Sequence, residues 1–327
     1  MLDFVFDVII FDNIGMPFTG STPRLQALGG SELGVILVAE SLARMNKKVL
    51  VLNNCKNPAF EYGVSYYPLS VLNYKKINCI NLILNRTSEL KNENLIFQNL
   101  FVYLQDIYTQ EYINYFENIQ RTYKDTVFIT VSDWLLNNLP NTLNKKYIHN
   151  MIPDWVYNVE KKKNYNRYIY CSAAFKGLKE TIDFWNIIKK QNKFKKIELV
   201  VCNPGYDIVD QILLKNNKIN FLGTLKFSDM VYEMANCAGL FYVNTYPETF
   251  CNIAAIANAL KIHTHILCLN DYGALRETLG KNNLVRKNID DFLINFYQNL
   301  ETETNIPQIN YRQSYVFDKW KEVLKYA

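Results

Sequence analysis

One carboxylate, Glu248, stands in TYPETFCNIAAIANAL (245–260) between Pro247 and a run of small and apolar residues. Proline cannot continue a strand interior, so Pro247 ends the strand-like AGLFYV before it, and Thr249 can cap a helix after it. The chain therefore turns from strand to helix around 247–250, where free backbone N–H groups attract anions. Two readings of Glu248 stand at this point. In one it partners the positive end of the helix. In the other it hydrogen-bonds neutral sugar hydroxyls while the N–H groups take a phosphate. Metal chemistry finds less support. His263 and His265 sit two apart in KIHTHILCLN, a strand pattern that points both to one face, and two ligands do not complete a zinc site. They read as satisfied, non-ligating histidines. The sequence holds no Asp-x-Asp triplet, a spacing suited to holding Mg²⁺ or Mn²⁺. No cofactor and no metal is expected.

The elements that must position these residues alternate. FVFDVIIFD (4–12) reads as a buried strand, followed by a long irregular loop to Gly30. SELGVILVAESLARMN (31–46) then places Val35, Val38, Leu42 and Met45 on one helical face, with Ser31 as N-cap. KKVLVLNN, INLIL (80–84), FVYL (101–104) and TVFITV (126–131) are further strands. At 158–166 the pattern breaks into NVEKKKNYN, read as a solvated linker. The cycle then restarts. RYIYCS (167–172) is a strand, a short turn carries Lys176 and Gly177, and LKETIDFWNIIKK (178–190) is a helix. IELVVC, INFLG, the helix FSDMVYEMA, AGLFYV, the helix after Glu248 and HTHILCL follow. Strand–helix alternation implies right-handed βαβ units and a parallel sheet in each half, with ligands at the carboxyl ends of the strands.

Bulk properties bound the answer. A chain of 327 residues exceeds the usual size of one core, so two domains are expected. Its net charge of +5 mildly favours anionic ligands or peripheral contact with an anionic membrane and falls short of a nucleic-acid footprint. Seven scattered cysteines without a Cys-x-x-Cys pair read as reduced thiols in the cytoplasm. The apolar start MLDFVFDVIIFD carries acids and no basic segment, which makes it a poor signal peptide, and no stretch approaches a membrane span.

TYPETFCNIAAIANALKIHTHILCLNDYGALRETLG (245–280) resembles the donor-binding segment of the retaining GT-B glycosyltransferases of family four, in a Pro-Glu-Thr-x-Cys variant. RYIYCSAAFKGLKETIDFW (167–185) is similar to the strand, phosphate loop and helix that open that family's second domain. ALGGSELGVILVAESLARMNKKVLVLN (27–53) resembles its Gly-Gly-x-Glu loop and helix, VSDWLLNNL…YIHNMIPD (131–154) its stretch before the linker, and YVFDKWKEVLKY (315–326) its closing helix. The likeness spans nearly the whole chain and implies an α/β GT-B fold of two Rossmann-like domains whose parallel sheets face a cleft. The implied division is 1–157 for the acceptor, 158–310 for the donor, and a helix in 311–327 packing back on the first domain.

By position, the resemblance makes Glu248 the acid that holds hydroxyls of the donor sugar and Lys176 the cation that clamps the diphosphate. A fixed positive charge is what a departing nucleoside diphosphate requires as its own charge grows. Gly29, Gly30, Gly177, Thr249, Phe250, Cys251, Asn252, Gly273 and Ala274 fall at donor-binding positions, with Leu275 beside them. Consecutive glycines let a backbone approach a phosphate or sugar without a Cβ in the way, and Ser31 and Glu32 start the helix behind them. Lys179 reads as a solvated lysine. Ser132 and Asn150 read as loop-stitching residues, and Glu277 as a structural helix acid. Asp106 falls on the acceptor side, with Gln105 where relatives carry a histidine.

Ile256 departs from the pattern, standing where relatives have a second glutamate that grips the ribose; Asn252 is the candidate substitute. The arginine that often precedes the lysine is also missing from CSAAFKG. The expected activity is metal-independent, retaining transfer of a hexose from a nucleoside diphosphate sugar, with UDP or GDP as nucleotide, to a hydroxyl of a glycan, lipid or protein. One rival is a binding subunit without catalysis. Another is a nicotinamide-dependent dehydrogenase, disfavoured by the long loop NIGMPFTGSTPRLQALGGSE and by VLVLNN, which lacks a ribose-binding acid.

Overall fold

The computed structural model describes residues 4–90, 93–160, 162, 164–191, 194–280, 285–298 and 308–326. The chain divides into two compact units, one of Met1–Thr22, Gly30–Met151 and Gln313–Ala327, the other of Pro23–Gly29 and Ile152–Arg312. The division falls after Met151, ahead of the charged run at 158–166. The Ile152 N–H already donates to the Tyr311 carbonyl, which ties this segment into the second unit. Lys161 and Lys163 of the charged run lie outside the described residues.

Among the described residues of the first unit, eight strands form one sheet in the order β3-β4-β2-β1-β5-β6-β7-β8. They are β1 (Phe4–Phe11), β2 (Val49–Asn53), β3 (Ala59–Glu61), β4 (Val64–Pro68), β5 (Ile77–Asn85), β6 (Leu95–Leu104), β7 (Val127–Thr130) and β8 (Lys145–Tyr147). All neighbours are parallel except β3 and β4. That pair is a hairpin closed by Tyr62 and Gly63, both at positive φ (53° and 80°), the backbone of a two-residue turn that matches strand twist. The central strands are continuous apolar runs because both sheet faces are covered; every residue of β2 is buried.

The helices include the single turn α1 (Thr22–Leu25), then α2 (Gly30–Arg44), α3 (Gln110–Thr122) and α4 (Asp133–Asn137). The expected one-sided face of α2 is incomplete. Every residue from Glu32 to Leu42 is buried, because the helix meets the sheet through β2 and β4 and the C-terminal helix (Gln313–Val323) elsewhere. Gln313 fixes that second contact, donating to the Leu37 carbonyl at 3.0 Å and to Ser41 Oγ at 2.9 Å. Ser132 caps α4 by accepting from the Leu135 N–H, as its stitching role required.

In the second unit the described strands run β11-β10-β9-β12-β13-β14, all parallel. They are β9 (Asn164–Tyr170), β10 (Glu198–Asn203), β11 (Asn220–Thr224), β12 (Cys237–Asn244), β13 (His263–Cys268) and β14 (Val285–Arg286), interspersed with α5 (Leu178–Lys189), α6 (Gln211–Asn216), α7 (Phe227–Ala235), α8 (Asn252–Ala259), α9 (Leu275–Leu279) and α10 (Ile289–Gln298). Counted within the unit this is the 3-2-1-4-5-6 order of a dinucleotide-binding sheet, whose ligand crevice opens between the first and fourth strands. Here those strands are β9 and β12. An aromatic core of Tyr168, Trp185, Phe241, Phe292 and Phe296 lies beneath. His265 joins it, its ring 4.8 Å from that of Phe296, and burial pushes its pKa well below the ordinary value. Among the described residues no helix is long and apolar enough to cross a membrane.

Candidate functional site

Lys176 follows β9 and Glu248 follows β12, so the two flank the switch point of the second sheet. The Lys176 turn is latched at two points to β12 and the residue that follows it. The Thr245 N–H donates to the Lys176 carbonyl at 3.1 Å. Thr181 Oγ1 donates to the Gly177 carbonyl at 2.7 Å and accepts from the Val243 N–H at 3.0 Å. Gly177 has φ 122°, and a Cβ there would overlap the Val243 carbonyl oxygen, so only glycine lets the turn sit this close. The same logic holds opposite. Gly273 has φ 57°, a Cβ on it would overlap the Glu248 backbone, and the Ala274 N–H donates to the Glu248 carbonyl at 2.6 Å. Gly177 and Gly273 thus fix the two acting side chains from behind.

The side chains meet. Lys176 Nζ donates to Glu248 Oε1 at 3.0 Å and to Oε2 at 2.9 Å. The Glu248 side chain is 6% exposed and that of Lys176 19%. Burial alone would lower the lysine pKa, but the adjoining carboxylate overrides it and raises the value. A third partner completes the cluster. The Tyr242 hydroxyl donates to Glu248 Oε1 at 2.9 Å and accepts from Asn244 Nδ2 at 2.6 Å. Around the pair, exposed Phe175 and Tyr246 pack edge to face at 5.9 Å, and Lys176 Nζ lies 5.8 Å from the Tyr246 ring centroid. This arrangement can offer one cation, one carboxylate and an aromatic rim to a ligand that is anionic at one end and hydroxylated at the other.

The helix after Glu248 begins later than the proline implies. Helix α8 starts at Asn252, and its N-cap is Cys251, in the left-handed region at φ 71° and without a side-chain cap. Thr249 therefore does not cap it, and Glu248 stands four residues ahead of the first helical residue rather than at its mouth. Instead, Glu248 bridges Gly273 within a loop over 245–251. Phe250 anchors that loop, its carbonyl accepting from Thr278 Oγ1 and its ring packing edge to face on Tyr311. Asn252 is half-buried at the start of α8, and Ile256 is fully buried one turn on. Lys179 is exposed and pairs with Asp183 along its own helix.

The first unit carries a polar cluster that no motif announced. At the carboxyl ends of β1 and β5, where its sheet order reverses, Arg86 Nη2 lies 2.7 Å from Glu32 Oε1 and 3.5 Å from Asp12 Oδ2. Asp12 is fully buried and also accepts from Asn85 Nδ2 and the Gly15 N–H, each at 2.8 Å. Burial would lower the Arg86 pKa, and the charges of Glu32, Asp12 and Asp106 raise it. Arg86 itself is held at φ 59°, uncommon for a side chain of this size. Glu32 of the Gly-Gly-x-Glu stretch is thus an ion-pair partner. Gln105 donates to Asn85 Oδ1 at 2.7 Å, filling structurally the place expected of a histidine, while Asp106 is exposed beside it. Asn150 accepts from the Tyr103 hydroxyl at 2.6 Å. Gly29 closes the short segment assigned to the second unit, Gly30 begins α2, and neither has a positive φ. The only signal for Asp12 and Arg86 was their place at strand ends.

No family model matches the chain, and no curated protein matches it in sequence. Solved structures do. The chain is similar to HepE of Anabaena in complex with UDP-glucose, at TM-score 0.67 and 15% identity over 98% of this chain and 100% of that one. It is similar to a glycosyltransferase from Rickettsia africae at TM-score 0.63 and 13% identity, covering 100% of both chains. AviGT4, a glycosyltransferase of avilamycin A biosynthesis, gives TM-score 0.67 and 11% identity over 97% of each. At these identities the likeness establishes architecture: the chain has the GT-B glycosyltransferase fold.

Proposed function

We propose that the protein is a glycosyltransferase that moves a hexose from a nucleoside diphosphate sugar to a hydroxyl, with retention of configuration and without a metal ion. The observation that carries this reading is the juxtaposition of Lys176 and Glu248 within 3.0 Å at the switch point of a 3-2-1-4-5-6 sheet. A sugar joined to a diphosphate presents hydroxyls and anionic oxygens as near neighbours, which is the pairing these two side chains offer. UDP is the nucleotide of first choice, since the HepE structures hold UDP, UDP with glucose, or UDP-glucose; GDP is the second.

In this mechanism Lys176 turns from Glu248 to the diphosphate and stabilises the charge that grows there as the glycosidic bond breaks. The N-termini of α5 and α8 add partial positive charge nearby. Glu248 orients the ring through its hydroxyls, so that the acceptor oxygen meets the reacting carbon near attack distance. The leaving diphosphate oxygen takes the acceptor proton on the same face, which retains the configuration. Asp106, exposed beside the largely buried Asp12–Arg86–Glu32 cluster of the first unit, is the candidate contact for the acceptor, a glycan, lipid or protein, with the reaction taking place in the cytoplasm.

A thermal-shift panel of UDP, GDP, ADP and their sugars tests donor choice, followed by acceptor-dependent release of nucleoside diphosphate. Release in the presence of EDTA and an NMR assignment of the product anomer test the metal-free and retaining parts. A second reading, a donor-binding subunit without turnover, draws on the buried Ile256 in place of an acid. Binding without any release would favour it.

A further inference from the structure

Glu248 has two fastenings of different character. Lys176 comes from a turn, keeps 19% of its side chain exposed, and bridges both carboxylate oxygens. Tyr242 comes from the middle of the second unit's sheet, is fully buried, and donates to Oε1 alone. The direction of that hydrogen bond is fixed from behind. Asn244 stands two residues along the same strand, hence on the same face, and its Nδ2 can only donate. The Tyr242 oxygen accepts there, which leaves its own proton for Glu248.

The Asn244 side chain is fully buried and its Oδ1 has no hydrogen-bond partner. An unmade buried acceptor costs stability, so this amide does not serve the fold economically; its donor serves Tyr242. Burial and then the Glu248 charge push the Tyr242 hydroxyl well above the ordinary phenol value, with a contact to Ser172 pulling weakly the other way. The phenol therefore stays protonated, a donor throughout the neutral range.

We propose that Tyr242, oriented by Asn244, is a positioning residue that seats the Glu248 carboxylate, whereas Lys176 is its exchangeable partner. When a diphosphate draws the ammonium away, the carboxylate would otherwise swing free. The Tyr242 hydrogen bond keeps Oε1 in place and leaves the remaining lone pairs, freed by the lysine, aimed at sugar hydroxyls. This inference rests on the transferase reading for its ligand but not for its geometry, and the test separates the two.

Crystal structures of full-length Lys176→Met and Lys176→Met/Tyr242→Phe need no ligand. Glu248 stays on the Tyr242 hydroxyl in the first and leaves that position in the second; a carboxylate that has already moved in Lys176→Met overturns the proposal. In solution, calorimetry with UDP and with UDP-glucose on Tyr242→Phe gives a second measurement should the double variant not fold. UDP affinity stays within about twofold of wild type, and UDP-glucose affinity falls by at least about tenfold. Adding Glu248→Gln to Tyr242→Phe brings no further loss, because both changes remove one unit of function. Equal losses for UDP and UDP-glucose, or additive losses in the double variant, overturn the proposal. A wild-type protein that binds neither probe overturns the donor reading alone, since the two crystal structures still decide the seat of Glu248.

Discussion

The Glu248 carboxylate accepts three hydrogen bonds from two residues, which set its orientation. The motif assigned Lys176 to phosphate and Glu248 to sugar as separate roles. The structure joins the two side chains, so under the proposed function the two roles become one exchange. If Lys176 is the proposed leaving-group cation, Lys176→Ala is expected to lower kcat/KM by roughly 30- to 1,000-fold, equivalent to about 2–4 kcal/mol, in an assay of nucleoside diphosphate release. Glu248→Gln keeps the shape and the Oε1 acceptor for Tyr242 while losing the charge. It is expected to keep its denaturation midpoint near that of wild type yet turn over more slowly. Wild-type rates in both variants would remove these residues from the chemistry. The lysine gives no pH dependence to stability near neutrality. Its folded pKa is raised, so its contribution is complete below the unfolded value of 10.5 and is lost only as pH rises through the folded one. The placement of Lys176 and Glu248 just after strands of the second half was legible in the sequence, and their direct pairing was not. Arg86 was not, because its partners Asp12 and Glu32 lie 74 and 54 positions away and meet it only when β1, β5 and α2 are assembled.

Strand and helix positions were legible where the apolar pattern had a single cause. FSDMVYEMA is a helix over the span read for it, and AGLFYV lies inside β12. The helix after Glu248 was read too early, since Pro247 and Thr249 make a plausible start locally; Glu248 instead bridges Gly273, 25 residues on, and the chain bends at 249 and 250 before the helix begins. The two glycines behind the site have a testable consequence. Gly177→Ala and Gly273→Ala each place a Cβ against backbone, at φ values of 122° and 57°. The left-handed conformation alone costs about 1–2 kcal/mol, and the overlap adds to it. Both variants are expected to lose more than about 2 kcal/mol in urea denaturation, together with nucleotide-sugar binding. His265 on β13 gives the same unit an acid sensitivity. Folded, it is held neutral well below its ordinary 6.5, against His263 on its own strand. Below that pH the unfolded chain binds a proton that the folded chain does not, so stability falls on acidification from about 6.5 downward, by up to about 1.4 kcal/mol per pH unit. His265→Phe is expected to flatten that slope in denaturation measured from pH 7 to 5.

At the scale of the whole chain, the first unit is discontinuous: its last segment returns after the second unit has been traversed. YVFDKWKEVLKY suggested a closing helix, but only the structure shows why α2 is buried on every side from Glu32 to Leu42. The helix Gln313–Val323 covers the flank that the sheet leaves open, and Trp320 is its wedge. The Trp320 side chain is fully buried, with its ring edge to face on Tyr103 at 5.0 Å, and Gln313 pins the first turn to Leu37 and Ser41. A tryptophan removed from such a position leaves a large cavity, so Trp320→Ala is expected to cost about 3–5 kcal/mol. The loss belongs to the first unit. Hydrogen exchange followed by mass spectrometry should therefore show lost protection in β2, β5 and α2, while β9, β12 and the Lys176 turn keep theirs. On the proposed assignment Lys176 and Glu248 of the second unit hold the diphosphate and the sugar, so UDP binding to Trp320→Ala, measured below its unfolding temperature, is expected to remain near wild type even as transfer to an acceptor fails. Protection lost equally in both units would mean that the two sheets unfold as one, and the C-terminal helix would then be a fastening of the entire chain.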